Sequence, residues 1–255
     1  NLEITMTVFT IYNHGTGGSR TKGPEVNEIV NLFGNNQALG LSEFQDYMIT
    51  EGVGREGAPD VQRVVWRNNQ WQWDRVKFSF NYLSAPFLSQ ATGLGVEQNV
   101  DNVLRVLNQM NPRPTTINLI GWSRGAVTCI RIAYRLSLDP NLQNIPINIF
   151  AVDPVAGPSH NNETDAITVN GNVKNYVATL ALDDRRSYYR PIVPDRLRFA
   201  APMITNRLIL RLPGIHRDPA KGDNTAGKIT FNMSARFLEK LGTPLSGSIA
   251  KYKKS

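Results

Sequence analysis

The sequence predicts an α/β fold in which helices cover both faces of a mostly parallel sheet. Short apolar runs rich in β-branched residues alternate with segments of helical periodicity, as in proteins whose parallel strands are buried on both faces. The chain has 255 residues, 41% of them hydrophobic, which is enough to bury one large core. The sequence contains no internal repeat and no separating linker, so we expect residues 1–255 to form a single domain.

Strands are expected where a short apolar or β-branched run is bounded by turn residues. Such runs occupy residues 4–12, 44–50, 117–120, 145–152, 173–182 and 207–212. Helices are expected where apolar residues recur every three or four positions, as at Val96, Val100 and Val103. The expected helices cover residues 24–33, 95–110, the segment after Gly125, and 230–241.

Two segments do not fit this alternation. Residues 58–92 hold Trp66, Trp71 and Trp73 but lack clean periodicity, and we interpret them as an insertion that is partly strand and packs near the functional site. Residues 184–206 are rich in arginine, proline and tyrosine, which is typical of a loop or cap, and we expect them to overhang that site.

The most informative motif joins the expected strand 117–120 to the helix that follows it. Gly121-Trp-Ser123-Arg-Gly125 fits the pattern Gly-x-Ser-x-Gly, and its place between a strand and a helix is the context of a nucleophile elbow. In such a turn the serine hydroxyl is exposed, and the two glycines leave room for the neighbouring backbone. The sequence therefore predicts a fold of the α/β-hydrolase type with Ser123 as its nucleophile.

A glycine-rich loop, residues 13–19, follows the first expected strand. It lacks the Gly-Lys-Ser/Thr ending of a phosphate-binding loop and the spacing of a dinucleotide fingerprint. It fits better as one side of an oxyanion hole, to which Gly15 or Thr16 would contribute a backbone N–H. The other N–H is expected from Arg124, because the amino end of a helix carries partial positive charge.

A nucleophilic serine needs a base, and the chain has three histidines. His14 precedes the serine, His160 lies in a polar loop, and His216 follows the last expected strand. Reactive groups of parallel sheets gather beyond the carboxyl ends of the strands, and hydrolases of this class run in the order Ser, Asp or Glu, His. His216 is therefore the expected base.

The acid of the triad is less tightly specified by the sequence. Asp153 follows an expected strand and lies between Ser123 and His216, so we expect it to orient the imidazole. Asp183 and Asp184 also follow an expected strand and remain alternatives.

The net charge of +7 is concentrated in one part of the chain. Residues 185–217 contain eight arginines and one acid, Asp195, which accounts for the whole excess. Because guanidinium groups bind phosphate through a planar donor fork, we expect Arg190, Arg196 and Arg198 to contact a substrate or an anionic membrane surface. A solvated surface with scattered ion pairs would explain the same composition.

Other classes of function lack support in the sequence. The histidines and the single cysteine, Cys129, have no metal-binding spacing, so no metal and no cofactor are expected. There is no motif for reading nucleic acid, and so we expect no nucleic-acid partner. No apolar run reaches about 18 residues, so we expect a soluble protein that is peripheral to a membrane at most.

Six short motifs occur in order along the chain. They are His14-Gly-Thr-Gly17, Glu51-Gly-Val-Gly54, Gly121-Trp-Ser-Arg-Gly-Ala126, Val152-Asp-Pro-Val155, Ala181-Leu-Asp-Asp-Arg-Arg186 and Pro213-Gly-Ile-His-Arg-Asp218. In these motifs the chain resembles the bacterial type VI secretion lipase effector family, in its branch related to a widespread uncharacterised α/β-hydrolase domain. Two departures are His14, which stands where that family has an aspartate, and Pro219-Ala-Lys-Gly222, which stands where a Gly-Gly pair is usual.

The resemblance implies a lipid-ester hydrolase with the triad Ser123, Asp153 and His216, and a structural role for Asp183 and Asp184. It also implies bacterial origin, secretion or delivery into a target cell, and an immunity or secretion-apparatus protein as partner.

These observations lead to one hypothesis with two alternatives. The leading hypothesis is a serine esterase of the lipase or phospholipase type that works through an acyl-enzyme. An esterase or acyltransferase for a non-lipid substrate would use the same triad. The alternative from another class is a catalytically dead hydrolase fold that binds an anionic membrane through its arginines.

Overall fold

The computed structural model describes residues 7–20, 28–52, 60–77, 95–157, 160, 162–184 and 191–254. The strands in these ranges are β1 (Val8–Asn13), β2 (Tyr47–Thr50), β3 (Asp60–Arg67), β4 (Gln70–Lys77), β5 (Thr116–Trp122), β6 (Ile147–Val152), β7 (Thr168–Val169), β8 (Val173–Ala181), β9 (Arg198–Phe199) and β10 (Asn206–Leu212). The helices are α1 (Ile29–Asn35), α2 (Val96–Gln109), α3 (Arg124–Leu138), α4 (Thr164–Ile167), α5 (Thr225–Lys240) and α6 (Gly247–Ala250).

Six of the strands form the central sheet, in the order β10-β8-β6-β5-β1-β2. Each pair of neighbouring strands in this sheet is parallel. The carboxyl ends of all six strands therefore lie at one edge of the sheet, where ligand sites of open α/β sheets form. The predicted fold class, a parallel sheet with helices around it, is confirmed.

The alternation of side chains along the strands builds a separate apolar layer on each face of the sheet. On β5, Ile117 and Leu119 belong to the core cluster that includes α2 and α3, whereas Ile120 belongs to the cluster that includes α1 and α5. Both layers are dense with fully buried side chains such as Phe9 and Phe231. Each of these contributes about 1.5–3 kcal/mol to folding through removal of its apolar surface from water.

The last large helix begins earlier than its apolar periodicity indicates. The structure starts α5 at Thr225, because Asn224 caps it by accepting a hydrogen bond from Gly227 N at 2.8 Å. Gly227 packs so closely on the preceding turn that a Cβ there would lie 1.5 Å from Lys221 O. The sequence pattern missed this first turn because Gly227 carries no apolar side chain.

The described part of segment 58–92 is an antiparallel hairpin of β3 and β4 outside the central sheet. Its turn residues, Asn68 and Asn69, both have positive φ, as a tight two-residue hairpin turn requires. The hairpin packs on α2 through buried Val64, whose N–H donates to Asn102 Oδ1 at 3.0 Å. Residues 60–67 and 70–77 are strands, as predicted for part of this segment, while residues 58–59 and 78–92 lie outside the described residues and the insertion stays a prediction.

The described part of segment 184–206 runs from one edge of the sheet to the opposite edge. Ile192 N donates to Pro154 O at 2.8 Å, next to the carboxyl end of β6. The chain then forms β9, which pairs with β7 just before β8 begins, and Thr205 Oγ1 donates to Val173 O at the start of β8. Since the nine residues of β8 span about 30 Å, the prediction that this whole segment overhangs Ser123 is wrong for its second half.

Candidate active site

Ser123 occupies a strained turn between β5 and α3. Its backbone has φ 56° and ψ −122°, values that a residue with a side chain rarely adopts. The turn is possible because both flanking glycines touch backbone: a Cβ on Gly121 would lie 2.3 Å from Gly125 O, and one on Gly125 would lie 2.0 Å from Asn13 O. The local geometry is that of the nucleophile elbow predicted from the motif.

Backbone hydrogen bonds tie this turn to the neighbouring strand end. Ser123 N donates to Val152 O at 2.9 Å, and Ser123 O accepts from Val155 N at 3.2 Å. Ser123 O also accepts from Ala126 N at 3.1 Å, which starts α3. The strained conformation of the serine is therefore held by β6 and by the loop after it.

The structure brings the three predicted triad residues together. His216 Nε2 lies 2.9 Å from Ser123 Oγ, and His216 Nδ1 lies 2.6 Å from Asp153 Oδ2. The side chains are almost fully enclosed, with 6% of Ser123, 4% of His216 and none of Asp153 exposed. These contacts have the distances and the order of a serine, a base and an orienting acid.

Trp122 supports the imidazole from one side. Its ring stacks on that of His216, with centroids 5.5 Å apart and planes inclined by 27°. Its Nε1–H donates a long hydrogen bond, 3.4 Å, to His216 O. The contacts limit the rotation of the imidazole and keep Nε2 facing the serine.

Asp153 is fixed by the sheet as well as by the histidine. Its φ is +41°, its N–H donates to Thr179 O at 2.7 Å, and its Oδ1 accepts from Ala181 N at 2.8 Å. Burial raises the pKa of the Asp153 carboxyl, and the hydrogen bonds from His216 and Ala181 oppose that rise. Its Oδ2 faces the ring of His216.

The alternative acids contact the backbone of the histidine loop instead of the ring. Asp183 Oδ2 accepts from Gly214 N at 2.7 Å, and Asp184 Oδ2 accepts from His216 N at 3.1 Å. Asp183 N also donates to Gly214 O at 2.9 Å. These two aspartates hold the loop in place, while Asp153 is the acid that reaches the imidazole.

The glycine-rich loop after β1 lies against the serine. A Cβ on Gly15 would be 3.3 Å from Ser123 Cβ and 3.0 Å from Trp122 O, so a larger residue would have to displace its neighbours slightly. Gly18 N donates to Gly15 O at 2.9 Å, which closes the turn that contains Thr16. Arg124 is the first residue of α3. The backbone of the three predicted oxyanion residues thus comes from two segments that flank Ser123.

The two other histidines lie outside this constellation. His14 is buried, with its Nδ1 3.7 Å from Glu28 Oε2, and Glu28 in turn caps α1 by accepting from Val30 N and Asn31 N. His160 Nδ1 lies 2.7 Å from Glu163 Oε1. Neither ring contacts Ser123 Oγ among these hydrogen bonds, so the choice of His216 made from strand order agrees with the geometry.

Two of the three arginines predicted to bind a substrate or a membrane surface, Arg196 and Arg198, lie in the described residues. Arg196 and Arg198 are exposed, and Arg198 pairs with Thr168 of β7, near the amino end of β8. Arg190 lies outside the described residues, as do Arg185 and Arg186. Arg198 therefore lies on the side of the molecule and not at the rim of the site, so it is not placed to contact a substrate at Ser123. Its contact with an anionic membrane surface stays a prediction.

A cavity of about 340 Å³ lies between the amino ends of α2 and α3 and the loop after Asp153. Arg124, Val127 and Ala156 are among its walls, although Ser123 and His216 are not among the described residues that line it. No sequence pattern indicates this cavity, because its walls come from three segments far apart in the chain.

The described ranges offer neither a metal site nor a membrane-spanning helix. No group of three or more His, Cys, Asp or Glu side chains there is arranged to hold a metal ion. None of the helices formed by those residues is both long and apolar enough to cross a membrane.

Comparison with known proteins supports the fold. No family model matches the sequence, and no curated protein sequence matches it. The structure is similar to an uncharacterised protein from Pseudomonas aeruginosa, with a TM-score of 0.53 and 14% identity over 97% of this chain and 48% of that one. The present chain thus spans about half the length of that protein, and at this identity the likeness concerns the fold alone.

Two enzymes show weaker structural likeness. A hormone-sensitive lipase from a metagenome library has a TM-score of 0.45 and 11% identity, over 92% of this chain and 74% of that one. The peroxisomal alpha-beta-hydrolase Lpx1 of Saccharomyces cerevisiae has a TM-score of 0.43 and 12% identity, over 95% and 79%.

Proposed function

We propose that this protein is a serine hydrolase that cleaves carboxylic esters through an acyl-enzyme. The observation that carries the proposal is the continuous contact from Ser123 Oγ through the His216 ring to Asp153 at 2.9 Å and 2.6 Å, with the serine on the strained turn between β5 and α3. A dead hydrolase fold would need neither the strained serine nor the buried acid, since each is costly to keep.

The first half of the reaction acylates the serine. Ser123 Oγ attacks the ester carbonyl carbon while His216 Nε2 takes its proton, and the carbonyl oxygen becomes an oxyanion. The N–H of Arg124 and that of Gly15 or Thr16 stabilise this charge, each contributing on the order of 10²–10³ in rate. The carbon–oxygen bond to the alcohol then breaks, and Nε2 gives its proton to the leaving alkoxide.

The second half returns the enzyme to its starting state. A water molecule gives a proton to His216 Nε2 and attacks the acyl carbon, and the new oxyanion is held by the same N–H groups. The bond to Ser123 Oγ breaks, the acid leaves, and Oγ regains the proton from Nε2. Through both halves the Asp153 carboxylate orients the ring and stabilises its charged form, so no cofactor is needed.

A spectrophotometric experiment tests this proposal. With p-nitrophenyl acetate, wild-type protein should release a rapid burst of nitrophenol close to one equivalent per chain and then turn over steadily, because acylation and hydrolysis are separate steps. Ser123→Ala should show neither phase while melting at a similar temperature. Absence of hydrolysis by folded wild type would rule out the esterase, and an equal burst from Ser123→Ala would show that another residue is the nucleophile.

We further propose that the substrate is a lipid or phospholipid ester and that the protein acts as a bacterial effector delivered outside its own cell. The support is the set of motifs shared with type VI secretion lipase effectors, together with the arginine excess. An immunity or secretion-apparatus protein as partner follows from the same resemblance. An esterase or acyltransferase for a non-lipid substrate is the alternative within the same chemistry.

The arginines provide a test of membrane attraction that is separate from catalysis. Arg196→Gln with Arg198→Gln should lower hydrolysis on anionic liposomes, most of all at low salt, because each basic residue near such a surface contributes about 1 kcal/mol that salt screens. Hydrolysis of p-nitrophenyl acetate should stay unchanged. Equal loss of both activities would show that these arginines support the fold, and no loss of either would show a solvated surface.

A further inference from the structure

The cavity between α2 and α3 shares its walls with the turn that holds the serine. Arg124 directly follows Ser123, and Val127 N donates to Ser123 O at 3.3 Å. On the opposite wall, Ala156 follows Val155, whose N–H also donates to Ser123 O. A group that fills this space is therefore next to the backbone of the nucleophile.

Part of the cavity wall is apolar, although Arg124 also lines the cavity. Val96 at the start of α2, Val127 in the first turn of α3, and Ala156 all line it and are at least nine-tenths buried. A volume of about 340 Å³ is at the lower end of the range for small-molecule sites, about 300–1,000 Å³. Long flexible chains need a longer groove than such a compact space provides.

Another part of the wall is a cluster of charged side chains around Arg131. This arginine is buried, and its guanidinium contacts Glu97 of α2, Glu163 before α4, and Asp165 in α4, the last at 3.6 Å. All four residues line the cavity. Because the arginine joins three segments, it fixes the distance between the walls. Glu163 Oε1 also lies 2.7 Å from His160 Nδ1, another lining residue, and the lone pairs that these contacts leave on the carboxylate oxygens can accept from a hydrogen-bond donor.

We infer that this cavity is the subsite for one side of the ester and that it takes a compact group with a short apolar stem and a hydrogen-bond-donating end. The inference rests on the proposed esterase function and specifies its substrate: the group bound here ends in a hydroxyl or an amine. Val127 sets the length that fits, and Glu163 sets the preference for a polar end.

A size series tests the first part. Two sets of esters are used, one lengthening the acyl side and one lengthening the alcohol side, each referred to the smallest acetate ester. In one of the two sets, wild-type kcat/KM should fall sharply once the ester exceeds a short length. Val127→Ala should raise kcat/KM for the first ester beyond that length about tenfold relative to the acetate, since one methylene in a pocket changes discrimination by about 10–200-fold.

The matched control is Val103→Ala. Val103 is equally buried, lies on α2 and is not among the described residues of the cavity. This variant should lose similar stability without moving the length limit in either set. If Val127→Ala moves neither limit, or if both variants move one alike, the cavity is not a subsite.

A second comparison tests the polar end. Wild type should have a higher kcat/KM for an ester ending in a hydroxyl than for the alkyl ester of the same length. Glu163→Gln should reduce the ratio of these two kcat/KM values several-fold. Asp101→Asn is the control, because Asp101 is a carboxylate of α2 that pairs with Arg135, 3.5 Å away, and is not among the lining residues. An unchanged ratio in Glu163→Gln would overturn the polar preference.

Failure of the proposed esterase function and failure of the subsite give different experimental results. If wild type hydrolyses no ester, the proposed function fails and the subsite fails with it. If it hydrolyses the acetate but every variant keeps the wild-type length limit and polarity ratio, the esterase stands and the subsite alone is wrong.

Discussion

The turns after β6 and β8 carry the same residue type at the same edge of the sheet, yet their aspartates do different things. Asp153, after β6, is fully buried and contacts the ring of His216 at 2.6 Å. Asp183 and Asp184, after β8, are more exposed and accept hydrogen bonds from the backbone of residues 214 and 216. One carboxylate contacts the imidazole side chain, and the other two bind the backbone of the loop that carries that side chain.

The difference follows from how each turn leaves its strand. Asp153 has a positive φ, and its backbone and side chain both bond to β8, so its second carboxylate oxygen, Oδ2, faces the imidazole. The turn after β8 runs beside the end of β10, where Leu182 N donates to Leu212 O. The carboxylates of Asp183 and Asp184 therefore accept from backbone N–H groups of the loop after β10. Position at a strand end thus selects candidates, and the direction of the turn decides among them.

The largest effect should come from Asp153→Asn. The imidazole would lose the acceptor that fixes its tautomer and stabilises its charge, and by analogy with other triads turnover should fall by about 10⁴. The check is steady-state hydrolysis of p-nitrophenyl acetate. A loss smaller than that of Asp183→Asn would reverse the assignment of the acid.

Asp184→Ala should have a smaller effect. It removes one acceptor from His216 N, a bond worth about 1 kcal/mol, so kcat should fall by less than about tenfold. The same assay with Asp183→Ala gives the matched value for the neighbouring bond. A thousandfold loss in either variant would mean that these aspartates act on the chemistry and not only on the loop.

Asp153→Asn should lower the activity without lowering the stability. Burial raises the pKa of Asp153 in the folded protein, so its ionisation costs folding free energy at pH values above the folded pKa. Asparagine carries no such cost, so the variant should melt at the same or a higher temperature at pH 7. The difference should shrink as pH falls through the folded pKa and vanish below the unfolded value of about 3.9. A lower melting temperature that persists in acid would contradict this.

Trp122→Phe should have the smallest effect. Phenylalanine keeps a ring against His216 but removes the long bond to His216 O, so kcat should fall only a few-fold. Trp122→Ala, measured alongside, should lose more because the stack is gone. Equal loss in both variants would show that the N–H matters more than the stacking.

The sequence predicted the parts of the site that depend on local patterns. The elbow around Ser123 is a contiguous motif, and the order of strand ends selected His216 from three histidines. It could not separate Asp153 from Asp183, because both follow apolar strands and the distinction depends on backbone direction. The support from Trp122 and Asp184 was invisible for the same reason, since it depends on how separate strands align.

The sequence was least informative about the arginine-rich segment. Composition indicated an anionic partner, and strand order placed the segment above the serine, but its path is set by the pairing of β9 with β7. Strands of two residues, as β7 and β9 are, are too short to show a sequence periodicity. The cavity around Arg131 was missed because the ion pairs that link α3 to α2 and to residues 163–165 have no sequence signature.

The central claim is that Ser123 is a nucleophile activated by His216. The direct measurement is intact mass after exposure to a fluorophosphonate probe, followed by peptide mapping. We expect one adduct per chain, located on Ser123, with labelling abolished in Ser123→Ala and strongly slowed in His216→Ala. Folded wild type that takes up no probe, or an adduct that persists in Ser123→Ala, would contradict the account.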